Sequence, residues 1–107
     1  MTTAKFLFSD ETVISFELSG HSGAGEEGTD IVCSAISSAV YMAANTIIEI
    51  MKLTPKTVVR DGYLKVQMNL EDARKSKVIT DGLYLHLSEL QNQYPNNLKL
   101  ERGVFDA

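Results

Sequence analysis

From Ile31 to Ile48 the chain carries no charge, and Asp30 and Glu49 close the run at its two ends. Its length approaches that of a membrane-spanning helix. Ser34, Ser37, Ser38, Asn45 and Thr46 interrupt it, however, so a helix buried in a folded domain is the better expectation. Val32, Ile36, Ala39, Ala43, Ile47 and Ile50 recur at helical spacing, with Ala35, Val40 and Met51 widening the stripe. Asp30 is placed to cap the helix start, and Pro55 predicts an end near Leu53.

What surrounds this helix reads mostly as strand. Phe6 and Phe8, a polar Ser9-Asp10-Glu11 turn, then Ile14, Phe16 and Leu18 at period two predict an antiparallel hairpin. Thr57-Val58-Val59 and Leu64, Val66, Met68, Leu70 flank Asp61-Gly62 and predict a second hairpin. A second helix is expected from Glu71 or Asp72. It has Ile79, Leu83, His86, Leu87, Leu90 and Tyr94 on one side, is weakened by Gly82 and is ended by Pro95. Leu98 and Leu100 suggest a final strand. The order is ββαββαβ: an α+β fold with a mixed or antiparallel sheet of about five strands and two helices packed on it. At 107 residues this is one domain, 1–107.

Net charge of -4 argues against a protein built to grip nucleic acid. A single cysteine forms no internal disulfide and fits a reducing compartment; with no signal peptide visible, a cytoplasmic, non-membrane location is expected. No metal or cofactor is expected, because one Cys and two distant His give no ligand spacing. Gly23-Ala24-Gly25-Glu26-Glu27-Gly28 spells a dinucleotide fingerprint. It follows a hairpin strand rather than a parallel unit, and its acids would repel a pyrophosphate.

Chemistry concentrates around Cys33. If Asp30 caps the helix, Cys33 lies in the first turn, where unpaired N–H groups and the helix dipole favour a thiolate. The bland reading is a core thiol. His21 sits in the glycine-rich loop that returns the chain to this helix, within range to take and return a proton, or else is simply a solvated loop residue. His86 reads as a packed or interface side chain. Ser37 is one turn beyond Cys33, and either bonds within a site or back to its own helix. Asp30 is cap, imidazole partner or both.

The run Ser19-Gly20-His21-Ser22-Gly23, then Gly28-Thr29-Asp30-Ile31-Val32-Cys33-Ser34-Ala35 and on to Ser37, resembles the ribosomal-processing cysteine protease family of bacteria. Gly20, His21, Asp30, Cys33 and Ser37 all coincide with the family pattern, and Ser22 replaces its usual alanine. The resemblance implies a homodimeric protease that removes the N-terminal extension of ribosomal large-subunit protein twenty-seven after a pair of aromatic residues. It implies Cys33 as nucleophile, His21 as base, Asp30 and Ser37 in support, and Gly20 as the residue that lets the loop move. Two other classes compete: a non-catalytic ribosome-associated binding module, and a redox-sensing thiol protein.

Overall fold

The structure is a computed structural model and describes residues 1–20 and 31–105. Five strands, β1 (Thr2–Ser9), β2 (Thr12–Gly20), β3 (Lys56–Arg60), β4 (Tyr63–Gln67) and β5 (Leu98–Val104), form one sheet in the order β3-β4-β2-β1-β5. Only the β1–β5 pair is parallel, so the sheet is mixed. Helices α1 (Ile31–Asn45), α2 (Leu70–Lys75) and α3 (Lys77–Gln93) complete the α+β fold.

Alternation along β1 sets the layers. Thr2, Ala4, Phe6 and Phe8 are buried beneath the helices, while Lys5 on the other face is exposed. Phe6 and Phe8 each meet the Tyr84 ring of α3 nearly at right angles, at ring-centroid distances of 5.0 and 5.4 Å. From α1, Val32, Ile36, Val40, Ala43 and Ala44 enter the same core, followed by Ile47. The segment Ile31–Ile50 is apolar and long enough to cross a bilayer, with a mean hydropathy of 1.7, but this stripe is packed inside the domain.

Four expectations change. In β2 the pairing shifts between Leu7 and Phe8, whose partners are Ser15 and Val13. This bulge at Ile14 moves the phase by one residue, so Val13 enters the core and Ile14 stays half-buried. The long helix does not reach Leu53. One π-helical turn (Thr46–Ile50) follows α1, marked by the Met51 N–H donating to the Thr46 carbonyl at 2.9 Å. Its wider winding leaves Ile50 76% exposed, and Lys52, at φ 58°, turns the chain away before Pro55.

The second helix divides at buried Ser76, whose N–H is shared among carbonyls of α2 before α3 starts. Its start is set by Asn69, whose side chain accepts from the Asp72 N–H at 2.8 Å. Along α3, Leu83 and Leu87 are buried with Thr80, whereas His86 is exposed, which removes the packed placement expected for it and leaves the interface one.

Candidate active site

Cys33 is the third residue of α1, within the first turn where backbone N–H groups lack helical partners. It is half-buried, with its chain neighbour Val32 turned into the core. Residues four apart share a helix face, so Cys33, Ser37 and Tyr41 form one stripe beside the sheet. That stripe is one wall of a cleft of about 160 Å³. Leu18, Gly20, Arg60, Gly62, Tyr63 and Leu64 supply the rest.

The opposite wall is fixed by the β3–β4 turn. Asp61-Gly62 closes the hairpin as its sequence predicts, with Gly62 at φ 71°. The Gly62 carbonyl accepts the Gly20 N–H at 2.9 Å, joining the last residue of β2 to this turn. Gly20 has φ +84°, and a Cβ there would lie 2.7 Å from the Met1 carbonyl oxygen. A side chain is excluded twice over.

Tyr63 is braced from both sides. Its hydroxyl donates to Glu17, the residue diagonally across on β2, and the Arg60 guanidinium lies 4.1 Å from the ring centroid. The Glu17 hydrogen bond is the main reason its phenol is held above the usual tyrosine range; desolvation and the Glu17 charge add to the rise, and Arg60 opposes it. Sequence reasoning missed Arg60, Tyr63 and Tyr41. Only the pairing of β3 with β4 and the helical repeat from Cys33 bring them to the cleft.

Three expected site residues, Gly20, Cys33 and Ser37, therefore meet in one place. His21 and Asp30 lie outside the described residues. Among the described residues no cluster of three or more His, Cys, Asp or Glu side chains is arranged to hold a metal ion.

A family model for the cysteine protease Prp matches residues 1–99. The chain belongs to the Prp cysteine protease family. The ribosomal-processing cysteine protease Prp of Bacillus subtilis is 25% identical over 101 residues, covering 89% of this chain and 90% of that one. Prp of Staphylococcus aureus is 25% identical over 103 residues, covering 94% and 97%. A crystal structure of the S. aureus Prp with a covalently linked product peptide has a TM-score of 0.85 at 25% identity, over 95% of this chain and 99% of that one. Another, with a substrate peptide, has a TM-score of 0.82 at 24% identity and agrees in fold. The family match over residues 1–99 thus spans both hairpins, the three helices and every residue that lines the Cys33 cleft.

Proposed function

We propose that this chain is a Prp-type endopeptidase that removes the N-terminal extension of a ribosomal large-subunit protein, with Cys33 as nucleophile and His21 as its base. The carrying observation is the position of Cys33: the one thiol of a chain in a cysteine protease family stands in the first turn of α1 and lines an open cleft. The thiolate attacks the scissile carbonyl carbon, and the carbonyl electron pair moves to oxygen. Backbone N–H groups at the helix start are suited to hold that oxyanion. Collapse of the intermediate expels the amine, which takes a proton from His21, and leaves a thioester on Cys33. His21 then takes a proton from water, whose oxygen attacks the thioester and frees the thiol. Ser37 and Asp30 support the site, and Gly20 shapes the strand end from which the His21 segment leaves.

The test is intact mass after incubation with the extended ribosomal protein, using the wild type, Cys33→Ala and His21→Ala. Loss of the extension only with the wild type supports the reading. Unchanged mass with retained affinity indicates a binding module, and an oxygen or disulfide adduct on Cys33 indicates a sensor. The same reading takes the protein as a cytoplasmic homodimer with no nucleic-acid or membrane partner. Val78, 84% exposed, and Leu85, 62% exposed, offer α3 surface that a second copy would cover. Sedimentation of the wild type and Val78→Asp reads that directly.

A further inference from the structure

β3 is an edge strand, and all five of its residues are exposed. Its hydrogen-bonding phase follows from two bonds elsewhere in the sheet. Gly20 N–H donates to the Gly62 carbonyl and Met68 N–H donates to the Ile14 carbonyl, each at 2.9 Å. On β4, therefore, the even-numbered residues bond towards β2, and Tyr63, Lys65 and Gln67 bond towards β3. Their partners are Arg60, Val58 and Lys56. The backbone N–H and C=O of Thr57 and Val59 consequently point away from the sheet, and no backbone partner for them occurs among the described residues.

This edge, open among the described residues, runs straight to the active site, because Arg60, its last residue, lines the Cys33 cleft. Thr57 and Val59 pair with Val66 and Leu64, so their side chains share the helix-covered face. Leu64 on that face is 5% exposed, whereas Val59 is 60% exposed. An uncovered apolar side chain thus stands beside two outward-facing peptide groups, next to a cleft that also contains Tyr41. Antiparallel pairing of two β3 edges would bring Lys56 of one copy towards Arg60 of the other, which disfavours a second copy here. The opposite edge, β5, is separated from β3 by three strands.

We infer that the β3 edge docks the substrate: an extended peptide segment flanking the scissile bond adds as a sixth strand. It exchanges backbone hydrogen bonds with Thr57 and Val59 and places an apolar side chain against Val59. This rests on the protease reading and names how that site holds its substrate.

The probe is a set of synthetic peptides spanning the extension junction of the ribosomal protein, each with one backbone amide N-methylated. Each is assayed for kcat and KM with the wild type and for Kd with Cys33→Ala. On one side of the scissile bond, methylation should weaken binding about tenfold at every second amide and be tolerated between, the scale of one lost hydrogen bond. Val59→Pro removes an outward N–H without touching the β3–β4 ladder, a replacement edge strands accept. It should raise KM about tenfold, change kcat less than about twofold and flatten the alternation. Equal tolerance at all amides overturns the inference whether or not Val59→Pro folds. So does an unchanged KM in a folded Val59→Pro, or a Val59→Pro variant that merely loses self-association. If the wild type leaves the unmodified peptide uncut, the protease reading fails, while the Kd series still decides the docking edge.

Discussion

The N–H of Gly20 donates to the carbonyl oxygen of Gly62 at 2.9 Å, so the end of β2 and the turn between β3 and β4 are held as one unit. Both residues line the cleft that contains Cys33. A change at either position acts on the shape of the site without touching the thiol.

Gly20→Ala should therefore lower stability and activity together. Its φ of +84° is strained for alanine, and the new Cβ would meet the Met1 carbonyl oxygen at 2.7 Å. Holding alanine there costs about 1–3 kcal/mol. For a domain this small each kcal/mol lowers the melting midpoint by roughly 4–8 °C. Calorimetry with parallel kcat/KM measurement checks it. An unchanged midpoint would mean that the strand end relaxes freely, and that glycine serves motion alone.

The Tyr63–Glu17 bond predicts a pH dependence. Glu17 favours the neutral phenol, so the folded-state pKa is raised above the unfolded value. The resulting stabilisation is fully present below the unfolded pKa of about 10 and is lost as pH rises through the higher folded value. Ultraviolet titration of phenolate formation, with Tyr63→Phe as the subtraction, should show Tyr63 ionising above the ordinary range. Glu17→Ala should bring it back down. If Glu17→Ala leaves the titration where it was, the hydrogen bond is not the cause.

Much of this was legible from the residues. The Asp61-Gly62 hairpin, the helix over the uncharged run and the last strand after Pro95 follow from turn chemistry and periodicity. Other features depend on packing. Nothing local distinguishes Ile14 from Val13 as the inward residue of β2; the pairing with Phe8 and Leu7 decides it. The π-helical turn that releases Ile50 and the break at Ser76 are tertiary in origin, since both segments keep a helical apolar repeat. For the site, Gly20, Cys33 and Ser37 could be read from their motif. Arg60 and Tyr63 could not, because strand pairing alone carries them there from far along the chain.

Ile36 and Ser37 are adjacent in α1, about 100° apart around the helix, so one enters the core and the other lines the cleft. Ile36 is fully buried in the core, and Ile36→Ala should cost about 2–5 kcal/mol. Ser37 lines the cleft, so Ser37→Ala should leave stability within about 0.5 kcal/mol and lower kcat/KM. Denaturant unfolding and peptide cleavage on both variants give the comparison. A Ser37→Ala enzyme of full activity would reduce Ser37 to a helix-surface residue.

Thr2 supplies the last prediction, at the strand end beside Gly20. It is 2% exposed, pairs with Gly20 on one side and Leu98 on the other, and its N–H donates to the Asn97 carbonyl at 2.9 Å. Its hydroxyl has no hydrogen-bond partner among the described residues. Burying an unpaired hydroxyl costs about 1–3 kcal/mol, and valine fills nearly the same space without it. Thr2→Val should therefore raise the unfolding free energy by about 1 kcal/mol, whereas Thr2→Ser, which keeps the hydroxyl and loses the methyl, should lower it. Urea midpoints should then rank valine above threonine above serine. Threonine above valine would mean that the hydroxyl has found a partner in solution, and that the end of β1 is tied down by a polar contact rather than by packing.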